Sequence, residues 1–438
     1  MKPLVRTTVM CLALGVVSAP LRAQVASTEW TQLAESFIRK QQQGEFEGAV
    51  AMLAPQTRAQ LDAAKLEGIW KQLTAAGALA PLVVEAVQEA QGYHVVDLAA
   101  SFGAQKLKLR VSLDAEKRVG GYWVLPPTPP KYQAPSYVDS TRFTEETLQV
   151  GVPEYPLKAI LTLPKGVAKP PVLVLVHGSG PNDENETVGP SQPFRDLAWG
   201  LATKGIAVLR YDKRTHAHGG RLTGRITVEE ETIVDALSAL DSMRRQPAVN
   251  GSKVFLLGHS LGGMLAPEIA DRDARLAGVI ALAGSPRGLH ELITDQMAYL
   301  VTLPGNQSAE AKAQIAEIEK QMGRIQRHEV PPDSVVMGAP ASYYYDLDAR
   351  NAIAHARRVQ APMLFLQGGR DYQVTTKDYE LWQQALKERP NVSFQLYPDL
   401  SHLFMSGQGM ATPTEYMSEQ KHVAEQVLDD IAAFIRAH

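Results

Sequence analysis

Gly258-His259-Ser260-Leu261-Gly262 closes an apolar run within residues 253–263, and it places a serine hydroxyl at a turn with glycine two positions to either side. A buried strand (Val254 to Leu257) feeding such a turn forces the serine into a strained backbone conformation that only small neighbours tolerate. The residues that follow can open a helix, whose positive dipole end favours negative charge developing at the hydroxyl. That chemistry is acyl transfer with Ser260 as nucleophile. Pro267 is out of place beyond the first turn of that helix, where it is expected to remove a backbone bond and kink the rod.

A serine needs a base and an acid to orient the base, and both follow in chain order. Residues 361–374 form an apolar strand that ends in Gly368-Gly369 and delivers Asp371 at its C-terminal end, where open α/β sheets bind ligands. Residues 392–404 alternate like a strand through Val392, Phe394 and Leu396 and then present His402 from a loop. In this arrangement His402 takes the proton from Ser260 and returns it to the leaving group, while Asp371 fixes the imidazole tautomer. Each residue alone has a plainer reading, a turn aspartate or a structural histidine; it is the ordered set that points to a triad. Asp399 is the alternative acid, but three residues from His402 it is better placed to shape the turn.

The oxyanion donors should come from an earlier strand. Residues 171–187 hold a continuous apolar run, as for a strand buried on both faces, ending in His177-Gly178-Ser179-Gly180. The Ser179 N–H, with Gly180 as the alternative, and the Leu261 N–H are the candidate donors. His177 reads as structural. In the next strand segment, residues 205–215, Asp212 and Arg214 either flank the site entrance or bridge one another.

Together, the strand followed by HGSG, the elbow GHSLGG, the GGRD segment and the late SH loop resemble the α/β-hydrolase superfamily from about Phe143 to the C-terminus. HGSGPNDENET followed by PFRDLAWGLATKGIAVLRYDKRT is similar more narrowly to bacterial carboxylesterases of the EstD type, near the prolyl oligopeptidase and serine aminopeptidase branches. The resemblance implies a mostly parallel sheet with helices on both faces, and hydrolysis of short acyl esters without a cofactor. The superfamily also includes peptidases, thioesterases and lactonases, so substrate is less defined than chemistry. A serine peptidase or aminopeptidase on the same triad, or a thioesterase on the same scaffold, is the alternative. A non-catalytic binding protein is the third reading, and the complete Ser260, Asp371, His402 set argues against it.

The elements around the site fall into a clear order. Residues 1–23 carry Lys2 and Arg6 before an apolar core from about Val9 to Ala19 and end at Ala23, the pattern of a secretory signal peptide. That core is too short to span a bilayer, so no membrane span is expected in the mature chain, which would be periplasmic or secreted. Leu21 leaves the cleavage point open. The sole cysteine, Cys11, lies in this segment, so a mature chain has no thiol catalysis, disulfides or cysteine metal site. Removing Lys2, Arg6 and Arg22 with no acid takes the formal charge from −3 to −6, and no basic patch argues for nucleic acid. The expected partner is a small-molecule ester. His216 and His218 lack a third ligand at useful spacing for a metal.

Five prolines within residues 125–136 mark a stiff linker, taken as residues 125–140. It divides an accessory domain, residues 24–124, from a catalytic domain, residues 141–438. In the former, Trp30, Leu33, Phe37 and Ile38 share a helical face, a second helix is expected from Ala64 to Ala76, and residues 44–50 are expected to form an inter-helix turn. Strands follow at Pro81 to Val87, Tyr93 to Ala99, Lys106 to Leu113 and Val119 to Val124, giving a small α+β domain. It resembles the DUF3887 module, whose shape is like nuclear transport factor 2 and the cystatin-like folds. It carries no catalytic constellation.

Ser260 and Asp371 are 111 residues apart, more than one strand and helix require. Residues 287–355 are therefore expected to be inserted as a helical cap, with helices at Leu289 to Leu300 and Ala309 to Ile325. Tyr343, Tyr344 and Tyr345 either line a pocket or seat the cap. Asp183, Glu184 and Glu186 would form an acidic mouth suited to neutral acyl groups.

Overall fold

Alternating apolar residues in the N-terminal segment and continuous apolar runs further on build two different sheets. The computed structural model describes residues 28–438 except 91, 104, 126, 128–131, 223–225 and 305–306. The proposed signal segment, with Cys11, lies outside the described residues. The chain divides into two compact units, residues 1–130 and 131–438.

In the first unit, helices α1 (Thr28–Gln42) and α2 (Ala63–Thr74) accompany the antiparallel sheet of β1 (Val83–Ala90), β2 (Tyr93–Phe102), β3 (Gln105–Leu113) and β4 (Val119–Leu125), in that order. Phe37 and Ile38 pack with Leu66, Leu109, Val111 and Leu113 in one core. Residues 44–50 are not the simple turn expected. Gly44 turns the chain at φ +78° and Phe46–Ala51 is a short helix, because Ala49 buries and Phe46 and Val50 pack against that core.

The second unit is built on an eight-stranded sheet: β5 (Phe143–Val152), β6 (Tyr155–Pro164), β7 (Val172–Val176), β8 (Ala207–Tyr211), β9 (Val254–His259), β10 (Gly278–Leu282), β11 (Met363–Gly368) and β12 (Val392–Tyr397). The order is β12-β11-β10-β9-β7-β8-β6-β5. The pairings from β8 through β12 are parallel, and β6 and β5 join antiparallel at one edge. Val172, Val174 and Val176 face a core shared with α4 (Val234–Arg245), α5 (Leu261–Arg272), α9 (Ala352–Arg358) and α10 (Thr376–Leu386). Leu173 and Leu175 face a second core with α3 (Pro193–Thr203) and α11 (Glu425–Ala437). Both faces are covered, which is why the central strands read as unbroken apolar runs. This is the α/β-hydrolase fold.

Between β10 and β11 the chain forms α6 (Leu289–Thr302), α7 (Ala309–Gln326), a two-residue hairpin pairing Val335–Val336 with Ala339–Pro340, and α8 (Ala341–Ala349) before α9. Residues 132–139 pack with this unit rather than hanging between two. Tyr132 hydrogen-bonds Asp196, and the Tyr137 hydroxyl donates to the Val423 carbonyl at 2.8 Å. No helix among the described residues is long and apolar enough to cross a membrane.

Candidate active site

β9 ends at His259, and Ser260 then adopts φ 53° and ψ −113° before α5 begins. Such a conformation costs a non-glycine residue about 1–3 kcal/mol, and it persists only where the surroundings impose it. They do so here by close approach. A Cβ on Gly258 would sit 2.0 Å from the Gly262 carbonyl oxygen, and one on Gly262 would sit 2.3 Å from the Val176 carbonyl oxygen. The Ser260 N–H donates to the Leu282 carbonyl on β10 at 2.9 Å, which fixes the turn to the sheet. Ser260 remains partly open while its neighbours on both sides are buried. α5 runs unbroken through Pro267, since residues 261–270 are all buried and packing holds the rod where one backbone donor is missing.

Asp371 and His402 meet at the ends of neighbouring strands. His402 Nδ1 lies 2.7 Å from Asp371 Oδ2, both side chains at most 5% exposed. The other carboxylate oxygen accepts the Gln373 and Val374 N–H groups at 2.8 and 3.0 Å, so the acid is clamped by its own turn. The loops approach this closely because Gly368 lacks a side chain: a Cβ there would fall 2.5 Å from the Leu400 carbonyl oxygen. Asp399 is exposed. The His402 ring lies 4.8 Å, centroid to centroid, from that of His259, the neighbour of Ser260. Among the described residues no hydrogen bond joins Ser260 Oγ to His402. Such bonds commonly tighten only once substrate is bound.

The loop after β7 closes on the serine from the other side. A Cβ on Gly178 would lie 3.1 Å from the Ser260 Cβ. Ser179 and Gly180 beyond it are exposed. No backbone hydrogen bond among the described residues is donated by the Ser179, Gly180 or Leu261 N–H. His177 is buried against Phe194, its Nε2 3.0 Å from the Asp183 carbonyl oxygen, and burial pushes its pKa down to about 4. It is a neutral structural group.

The expected acidic mouth does not exist. Glu186 is 3% and Glu184 8% exposed. Glu186 Oε1 accepts the Gly178 N–H at 2.7 Å, and its Oε2 lies 2.9 Å from His259 Nδ1 in an ion-pair contact. Burial opposes both charges, but the pair prevails: Glu186 stays below the usual carboxylate range and His259 above the usual imidazole value. Glu184 pairs with Lys158 at 2.9 Å, and Asp183 accepts from Asn185 and Thr187 in its own turn. These carboxylates fold the loop instead of facing substrate.

Neither expectation for Asp212 and Arg214 holds. Arg214 is buried and forks onto Asp235 at 2.6 and 2.9 Å, while Asp212 accepts the Glu184 N–H at 2.9 Å. Burial and the neighbouring Glu184 lift Asp212 to about 6. The residue between them matters more. Lys213 is 2% exposed and donates to the Gly178 carbonyl at 2.8 Å, with Glu231 at 3.3 Å. His218 Nε2 lies 2.8 Å from the Pro156 carbonyl oxygen, and among the described residues no three His, Cys, Asp or Glu side chains form a group able to hold a metal.

The inserted segment reaches the loops that carry the acid and the base. Tyr299 of α6 stacks on Tyr372, next to Asp371, with centroids 5.1 Å apart, and the Gln296 amide donates to the Gln373 carbonyl at 3.0 Å. Arg287 ties the root of the insertion to Asp378 of α10 at 2.8 Å. Of the three tyrosines only Tyr343 seats the insertion, by bonding Glu231, whereas Tyr344 and Tyr345 bond the Val336 and Val330 carbonyls inside it.

Sequence reasoning passed over Lys213, Glu231 and His259. The readable signal was charge just past a buried strand, since a lysine two residues beyond the strand 207–211 must either emerge or find partners inside.

The sheet, the strained serine and the acid–imidazole pair define a serine hydrolase of the α/β-hydrolase class. Residues 171–408 match the serine aminopeptidase S33 family, and the chain belongs to it. Residues 34–121 match the DUF3887 family, a domain of unknown function. The chain is 40% identical over 402 residues to the esterase EstD of Thermotoga maritima, covering 91% of this chain and 93% of that one. Among solved structures, an esterase of Pyrococcus furiosus aligns at 15% identity and TM-score 0.46 over 71% of this chain and 97% of its own. The esterase Est1E of Butyrivibrio proteoclasticus aligns at 16% and 0.44 over 67% and 99%.

Proposed function

We propose that this carboxylesterase cleaves short-chain acyl esters through an acyl-enzyme on Ser260. His402 removes the hydroxyl proton as Ser260 Oγ bonds to the ester carbonyl carbon. The same proton then goes to the departing alkoxide as the carbon–oxygen bond breaks. Water repeats the sequence on the acyl-enzyme, giving the carboxylic acid and free serine. Asp371 holds the imidazole Nδ1–H and stabilises the imidazolium. The Ser179 and Leu261 N–H groups, with Gly180 as the alternative to Ser179, receive the oxyanion, and donors of this kind lower such barriers by several kcal/mol.

The observation carrying this reading is the 2.7 Å contact of His402 Nδ1 with Asp371 Oδ2, in loops that close on the residue beside Ser260. The likeness to an esterase along nearly the whole chain supports ester over amide. The family's description favours a second reading, an aminopeptidase on the same three residues. A panel of short and long acyl esters, thioesters, lactones and aminoacyl amides, run on wild type and Ser260→Ala, separates them. The expected result is turnover of short esters that Ser260→Ala abolishes. Preferred cleavage of aminoacyl amides overturns the ester reading.

We further propose that residues 1–23 direct export and are removed. The supporting pattern is the basic start, short apolar core and small residue at Ala23. N-terminal sequencing of the protein recovered from cell fractions tests it. An intact Met1 in the cytoplasmic fraction overturns it.

A further inference from the structure

Lys213 is a fully buried cation that the triad chemistry does not use. Its Nζ donates to the Gly178 carbonyl oxygen at 2.8 Å. Gly178 C=O and Ser179 N–H belong to one planar trans peptide, so the carbonyl and the amide point in opposite directions. Gly178 itself packs against the Ser260 Cβ. A cation bound on the carbonyl side therefore faces away from the reaction and holds the N–H on the side toward it. It also draws electron density from the oxygen and makes that N–H a stronger donor. The peptide before it is fixed too, because the Gly178 N–H is held by Glu186 at 2.7 Å.

The charge is held in place from the opposite side. Glu231, 7% exposed in its side chain, lies 3.3 Å from Lys213 Nζ and sits in a π-helical turn, Glu229–Ile233, that leads into α4. Turns of this type recur where a side chain must be presented out of the normal helical register. Thr215 donates to Glu231 Oε1 at 3.2 Å, and Tyr343 of the insertion bonds Oε2. The order Tyr343, Glu231, Lys213, peptide 178–179 is continuous. A lysine buried only for stability gains little over an apolar side chain of the same shape.

We propose that Lys213, held by Glu231, is a positioning residue that orients and polarises the Ser179 N–H toward the transition-state oxyanion, and that Tyr343 carries this arrangement into the inserted cap. The inference rests on Ser260 being the nucleophile and Ser179 an oxyanion donor.

The test measures kcat and KM on one short activated ester, and Ki for a trifluoromethyl ketone that adds to the serine as an oxyanion. The full-length variants are Lys213→Met, Glu231→Gln, Tyr343→Phe and Lys213→Met with Tyr343→Phe. Lys213→Met should lower kcat about ten- to a hundredfold, less than outright loss of an oxyanion donor, with KM within twofold. Its Ki should weaken by the same factor as kcat/KM. Glu231→Gln and Tyr343→Phe should fall several-fold in the same direction, and the double variant should be no slower than Lys213→Met alone. A merely structural lysine would lower the melting temperature while leaving kcat and Ki of the folded enzyme within twofold, and that result overturns the proposal. If Lys213→Met does not fold, Glu231→Gln decides: unchanged kcat and Ki overturn it. Ser260→Ala runs alongside. An inactive Ser260→Ala beside an unimpaired Lys213→Met overturns this inference alone, whereas an active Ser260→Ala removes the nucleophile reading and this inference with it.

Discussion

His259 Nε2 lies 3.0 Å from the carbonyl oxygen of His402, so the residue just before the candidate nucleophile holds the backbone of the candidate base. The other ring nitrogen of His259 faces Glu186, which also holds Gly178 beside the serine. One buried carboxylate thus joins three loops. Glu186→Ala should destabilise the protein by about 3 kcal/mol, the scale for orphaning one member of a buried pair. It should also lower kcat on a short ester in the surviving folded enzyme. A denaturant midpoint and kcat measured on the same preparation check this, and a variant as stable as wild type contradicts it.

The acid is assigned by contact. Asp371→Asn should keep the fold but favour the wrong imidazole tautomer, lowering kcat by roughly a thousandfold or more. Exposed Asp399→Asn should change kcat less than twofold. Steady-state kinetics of the two variants decide between them, and a larger loss at Asp399 reverses the assignment.

His177 supplies a pH signature of stability. Burial lowers its pKa to about 4, so the folded protein holds it neutral where the unfolded chain, near the usual value of about 6.5, takes up a proton. The stabilisation is fully present above about 6.5 and is lost as pH falls toward 4, a change on the order of 3 kcal/mol. The melting temperature of wild type should therefore drop between pH 7 and 4 more steeply than that of His177→Gln. Parallel curves for the two proteins count against it.

Tyr299 of the insertion stacks on Tyr372, one residue from Asp371. If the insertion sets acyl-chain selectivity, Tyr299→Ala should change the ratio of kcat/KM for a short and a long ester several-fold, because selectivity follows differential transition-state binding. Equal losses on both esters would show that the contact only supports the acid loop.

Much of this was legible in the sequence, and the exceptions have physical causes. Ser260, Asp371 and His402 stand at strand ends where glycine and apolar periodicity mark the backbone, so their chain order and local setting could be read directly. The central strands announced their burial on both faces by unbroken Val and Leu runs. Charged residues were misread because sequence shows charge but not partners. Glu184 and Glu186 looked like a solvated mouth and instead hold Lys158, Gly178 and His259 inside the loop. Arg214 found Asp235, 21 residues away, rather than its neighbour Asp212. The Phe46–Ala51 helix was missed because six residues are too few to establish a period.

The central claim is that Ser260 is the group that becomes acylated. The most direct measurement treats the protein with a fluorophosphonate, digests it and locates the adduct by mass spectrometry, alongside Ser260→Ala. One stoichiometric adduct on Ser260, absent from the variant and accompanied by complete loss of ester hydrolysis, is the predicted result. An adduct on Ser179 or another residue, or full inhibition with Ser260 unmodified, would contradict the account.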